Sequence, residues 1–141
     1  MNLYKLHSNP EQLAHYAETK EIPYFVLKEV ENSKNLSVLL WKDRERIERV
    51  LAKDPYSAYR YAQIILERFP AGEPVLATDA KWATAYAERV IHGRFPEAEN
   101  AIKKDPKWAF YYAKDIIKDR WPEAEPYIQP SSYWPWYTEY L

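Results

Sequence analysis

The chain is 141 residues long, and its 20 Lys and Arg against 21 Asp and Glu leave a formal net charge of −1, with no overall pull toward nucleic acid or an anionic membrane. It has no cysteine, which excludes disulfides, thiolate metal sites and cysteine nucleophiles. No window approaches the roughly 18 consecutive apolar residues of a membrane span, and the opening MNLYKLHSNPEQ lacks the apolar core of a signal peptide, so the expectation is a soluble cytoplasmic protein.

The first elements are irregular. Asn9-Pro10 with Leu13, Tyr16 and Ala17 shows a cap, a proline and inward apolar positions at helical spacing. Pro23 is expected to open a helix through YFVLKEVEN, and Leu36 to Lys53 to form one helix or two. Asn9 stands 45 residues before Asp54, which is no whole number of the units that follow. Residues 1–53 are therefore a divergent N-terminal helical region.

From Asp54 the chain repeats itself, with new units at Asp79 and Asp105, 25 and then 26 residues on. The copies read DPYSAYRYAQIILERFPAGEPVLAT, DAKWATAYAERVIHGRFPEAENAIKK and DPKWAFYYAKDIIKDRWPEAEPYIQP, the first one residue short before its Arg. That missing residue is expected in a turn. Each Asp suits an N-cap, and Pro55 and Pro106 follow at the first helical position, where no amide hydrogen is needed. The apolar positions of this first helix are Ala58, Tyr61, Ala62 and Ile65, then Ala83, Tyr86, Ala87, Val90 and Ile91, then Ala109, Tyr112, Ala113, Ile116 and Ile117, at helical spacing. Its end is expected near Gly93 or Asp119. Arg68-Phe69-Pro70, Arg94-Phe95-Pro96 and Arg120-Trp121-Pro122 form the corner, where proline turns the preceding aromatic out of the helix and opens a second one. Glu73, Glu97, Glu99, Glu123 and Glu125 suit its positive first turn, with Leu76, Ile102 and Ile128 inward.

At the far end Trp134 falls three after Ser131, matching Trp82 and Trp108, so residues 131–141 read as half a repeat. The fold class is all-α. It is expected as one domain over 1–141, a short solenoid-like array of roughly 26-residue helix-turn-helix repeats at 54–78, 79–104 and 105–130, with the divergent region before and the aromatic tail after.

The sentence D-P-x-W-A-x-x-Y-A followed by R-[FW]-P-E-A-E resembles a family of uncharacterised tandem repeats of tailed-bacteriophage and prophage proteins, clearly over residues 54–129 and again in the opening NLYKLHSNPEQL. The resemblance implies a phage origin and a helical array. It implies no catalytic residue.

The chemistry visible in the sequence is sparse. His7, His15 and His92 lie in unrelated contexts without metal-ligand spacing, and neither Gly72 nor Gly93 sits in a phosphate-cradling loop, so no metal and no cofactor is expected. Glu97 with Glu99, echoed by Glu123 with Glu125, favours helix capping over acid and base work, because catalysis needs one special site rather than several equal ones. Arg68, Arg94 and Arg120 read as an internal ladder with the Asp and Glu of neighbouring units, or as a phosphate-binding row. Lys42, Arg44, Arg46 and Arg49 interleave with Asp43, Glu45 and Glu48 as on a solvated helix face.

The chain is therefore read as a non-enzymatic protein-interaction module. Its partner surface is expected where the copies differ, at Tyr59, Arg60, Phe110 and Tyr111, and in the tail at Tyr133, Trp134, Trp136, Tyr137 and Tyr140. The tail has two readings, a cap over the last repeat or a docking surface for another chain. A second copy of the chain is the alternative partner, and a nucleic-acid binder using the arginines is the weaker one.

Overall fold

The computed structural model describes residues 14–15, 23–32 and 44–141, and among these all regular structure is helical. The patterns expected at Asn9-Pro10, Leu13, Tyr16 and Ala17, in the opening segment and at 36–43 lie outside the described residues, as does His7. The elements are α1 (Pro23–Asn32), α2 (Arg44–Leu51), α3 (Pro55–Ile65), a 3₁₀ turn at Pro70–Gly72, α4 (Glu73–Leu76), α5 (Ala80–Tyr86), α6 (Pro96–Lys103), α7 (Pro106–Tyr112), α8 (Glu125–Ile128) and α9 (Trp134–Tyr140). None of the described helices is long and apolar enough to cross a membrane. The chain divides into two compact units, Met1–Val75 and Leu76–Leu141, described here in turn.

In the first unit Pro23 opens α1 as its position predicts, α1 packs on α2 and α3, and Val26, Leu27, Val30, Ile47, Leu51 and Ala58 on these helices are all buried. The Asp54 carboxylate caps α3 by accepting from the Ser57 amide and hydroxyl, both at 2.8 Å. Phe69 turns inward at the corner and meets the Tyr61 ring edge-on at 4.9 Å. Gly72 is buried there because a Cβ would lie 2.6 Å from Phe69 Cδ2 and 2.7 Å from Ala58 Cβ. The substitution of Ala-Gly-Glu for Glu-Ala-Glu in this copy thus has a steric cause.

In the second unit α5, α6 and α7 pack on one another, and α8 packs on α7. Asp79 and Asp105 accept from the Trp82 and Trp108 amides at 3.0 and 3.4 Å, so all three expected caps are made. Most of the inward residues fall where the periodicity puts them: Ala83, Ala87, Ala109 and Ala113 are fully buried, as are Tyr86, Tyr112, Leu76, Ile102 and Ile128, whereas Val90, Ile91, Ile116 and Ile117 in the last turn are only partly buried. Pro96 opens α6 directly, whereas Pro122 opens only a turn before α8 begins at Glu125.

The one-residue difference between copies does not lie in a turn. α5 continues through a π-helical turn at Ala87–Ile91, and α7 through another at Ala113–Ile117. The His92 and Lys118 amides reach back five residues, to the Ala87 and Ala113 carbonyls, where the Leu66 amide after α3 reaches back four, to Ala62. The extra residue is a widened last turn of helix. All three helices then stop at a left-handed residue, Leu66, His92 or Lys118, with φ of 59°, 60° and 61°. Glycine is the usual choice at this position, yet Gly93 comes one residue too late to serve it, and no glycine here has positive φ.

Candidate functional site

The repeated polar residues close on each other. Arg94 donates through Nε and Nη2 to the two oxygens of Glu99 at 2.8 and 2.7 Å, a bidentate pair. Arg120 grips Glu125 at 2.9 Å twice, and Arg68 grips Glu73 at 2.9 and 2.8 Å. Each arginine therefore pairs with a glutamate of its own copy, because the corner proline turns the chain so that the glutamate five residues on faces the guanidinium. Glu99 and Glu125 are mostly covered, whereas Glu97 and Glu123 are exposed, so the paired glutamates do different work.

A tyrosine from the next helix completes the Arg94–Glu99 and Arg120–Glu125 pairs. The Tyr112 hydroxyl donates to Glu99 at 2.7 Å and accepts from the Phe95 amide at 2.7 Å. Tyr137 does the same with Glu125 at 2.8 Å and the Trp121 amide at 2.8 Å. In the first unit Tyr61 donates to Glu48 at 2.9 Å, and Glu48 is held by Arg44 at 3.0 Å. The segment Arg44–Leu51, read from sequence as divergent and solvated, thus carries the arginine and the glutamate of the same arrangement, and Tyr61 on α3 supplies the tyrosine. Arg44 also reaches Glu67 at 2.9 Å.

Burial and the Glu99 carboxylate push the Tyr112 hydroxyl well above its ordinary range, and burial raises Tyr137 to about 12. Burial opposes ionisation of Glu99, but the bonds from Arg94 and Tyr112 outweigh it and hold its carboxyl below the usual value. The Arg120 bond does the same for Glu125. Among the described residues every buried side-chain nitrogen or oxygen has a partner.

The expected partner residues divide into two sets. Tyr59 and Phe110 are 4 % and 7 % exposed and Tyr137 is fully buried, so these three rings are core and present almost no surface. They lie on the inward edge of their helices, and variation between copies there reflects packing. Arg60 is tied to Gln63 at 2.6 Å and to Glu31 at 3.4 Å. Tyr111 is half-buried in a chain of rings, 5.7 Å from Trp108 and 5.2 Å from Phe110, and Tyr133 continues it 6.1 Å from Phe110. Trp134 stacks on Tyr137 at 5.5 Å, and the Tyr140 hydroxyl lies 2.9 and 2.8 Å from the carbonyls of Ala113 and Asp119. Trp136 alone of the tail set stands well out, 63 % exposed.

The tail is a partial helix one, in a register one residue from that expected. Tyr137 fills the role of Tyr112, so Tyr133, one turn earlier, corresponds to Trp108 and Trp82, and Trp134 does not. Sequence reasoning also missed a recurring cation–π pair: Lys81 lies over the Trp82 ring at 4.7 Å and Lys107 over Trp108 at 5.0 Å. The dipeptide Lys-Trp at the same place in two copies was its signal.

Fold and site together define an all-helical protein with a recurring arginine, glutamate and tyrosine closure. No family model matches the chain, and no curated protein and no solved structure is similar to it.

Proposed function

We propose that the chain is a protein-interaction module, a short solenoid-like helical array of phage origin that binds a protein of the bacterial host in its cytoplasm. The observation that carries this reading is a division of labour within the repeat. Its strongest hydrogen-bonding groups, Arg94 with Glu99 and Tyr112 and their counterparts, are spent on one another. The exposed left-handed position meanwhile carries Leu66, His92 or Lys118, three unlike side chains where glycine would be less strained. A scaffold of identical internal closures presenting unlike outer side chains suits recognition of one partner surface.

The test is retention of a bacterial protein by the immobilised chain. A discrete partner is expected, and its loss on Tyr111→Ala with Trp136→Ala would place it on the aromatic side. Retention of nothing above background overturns the reading. The exposure of Trp136 and of Leu141 favours a second reading, self-association through the tail. Light scattering distinguishes it: a dimer that reverts to monomer on Trp136→Ala supports self-association, and a monomer in both chains removes it.

A further inference from the structure

We infer that α9 is a seal that closes the array to a further copy of the repeat, with Trp134 as its closing residue. Tyr112 shows what an inner helix does. Its hydroxyl finishes the corner before it, at the Phe95 amide, while its ring packs on the corner aromatic after it, Trp121, at 5.0 Å. Tyr61 and Tyr86 pack likewise on Phe69 at 4.9 Å and on Phe95 at 5.4 Å. In α9 the Tyr137 hydroxyl does the first of these jobs at the Trp121 amide, but its ring is met by Trp134 of the same helix, stacked at 5.5 Å and 24°. Tyr137 is fully buried without a corner following it.

The place of Trp134 gives this its consequence. It stands three residues before the tyrosine, where the inner helices carry Ala58, Ala83 and Ala109, each fully buried. The first unit shows what lies against that alanine: the corner turn comes so near that a Cβ on Gly72 would stand 2.7 Å from Ala58 Cβ. Ala83 with Ala98, and Ala109 with Ala124, hold the same two places and are fully buried too. A methyl leaves room for the turn and an indole fills it. A corner therefore cannot pack on α9 as it packs on α3, α5 and α7, whether it belongs to an added repeat or to a second copy of the chain.

Copies that bury their apolar faces on one another need an end that recruits no further copy. The outward positions of α9 include Thr138 and Glu139, both exposed, which suits that end. Contact between the tail and another molecule is then confined to its outer side, where Trp136 stands.

The experiment compares the 141-residue chain with one carrying a second copy of residues 117–130 after Leu141, each with and without Trp134→Ala. Leu141 stands four residues after Tyr137, as Ile116 does after Tyr112, so the appended segment brings a corner in register. In the shorter chain Trp134→Ala is expected to lower the melting temperature and to speed hydrogen exchange at the Trp121 amide, which Tyr137 holds, about tenfold, with the Phe95 amide, held by Tyr112, unchanged. In the extended chain the sign reverses: Trp134→Ala raises the melting temperature, and the appended amides gain protection that they lack beside Trp134. A fall in both chains, appended amides protected equally beside Trp134, or equal acceleration at Trp121 and Phe95 overturns the seal. If the shorter variant does not fold, the extended pair decides alone.

Discussion

Helix α3 and the paired helices α5 and α7 begin alike and end differently. In each the tyrosine stands seven residues after the capping aspartate, at Tyr61, Tyr86 and Tyr112, and the left-handed residue stands two before the corner arginine. Between these two fixed points α3 runs one residue fewer, and α5 and α7 absorb the difference as a π turn. What is held constant is the placement of the tyrosine and of the arginine–glutamate pair. The turn between them has latitude, because widening one turn of helix alters the path locally while both anchors keep their partners.

The sharpest way to break this comparison is to move a residue across an anchor. Deleting Ala85, between Asp79 and Tyr86, rotates Tyr86 about 100° around the helix and is expected to abolish cooperative unfolding of the second unit. Deleting Arg89, within the π turn, restores the spacing of α3 and is expected to change stability by no more than about 1 kcal/mol. Equal damage from both deletions in thermal melts would sink the distinction.

Gly72 offers the next test, because Ala98 and Ala124 occupy its place in the later copies and are buried without conflict. Gly72→Ala forces a Cβ against Phe69 and Ala58 and should cost about 1–3 kcal/mol in urea titration. Tyr112→Phe keeps the ring and leaves the Phe95 amide and Glu99 each one partner short, for an expected loss of about 1–2 kcal/mol. The same change at Tyr111, which is half-buried, should be near neutral.

The closures also set a pH window. Glu99 and Glu125 ionise more readily folded than unfolded, so their contribution is complete above the ordinary value of 4.5 and is lost as pH falls through the lower folded one. Tyr137 holds its proton more tightly when folded, so its contribution is complete below pH 10.0 and is lost as pH rises toward about 12. Melting temperature should fall at both ends, and Tyr137→Phe should soften the alkaline limb and, by removing one of the bonds that hold Glu125 low, part of the acid limb. A small effect of opposite sign belongs to the left-handed residues: Leu66→Gly should stabilise by about 0.5–1 kcal/mol, visible as a small rise in melting temperature.

The caps and the inward stripe were legible because each depends on residues close in sequence. Asp54 and Ser57 are three apart, and Ala109, Tyr112 and Ala113 lie one turn apart, so local spacing carries the information. The closures were not read, because the partner of each glutamate comes from the following helix. Their signal was nevertheless present, since 13 residues separate Glu48 from Tyr61 and Glu99 from Tyr112, and 12 separate Glu125 from Tyr137. Following that interval would have joined Arg44–Leu51 to the repeat and set the tail register by Tyr137. The π turns were illegible for another reason: a one-residue gap in an alignment fits a longer loop as well as a wider helix. Tyr59 and Phe110 show that difference between copies does not mean exposure, since a buried position can vary whenever its neighbours vary with it.

The closure shared between successive copies bears on how such a chain can change length. Since Tyr112 finishes the corner before it and Tyr137 the corner after that, residues 79–104 could be duplicated in tandem and every new hydroxyl, carboxylate and guanidinium would meet its counterpart across the new join. A duplication of anything other than a whole period would strand half a set. The tyrosine therefore acts as a unit of measure, admitting growth and contraction by whole periods only, with the short helix Trp134–Tyr140 able to finish an array of any number of them.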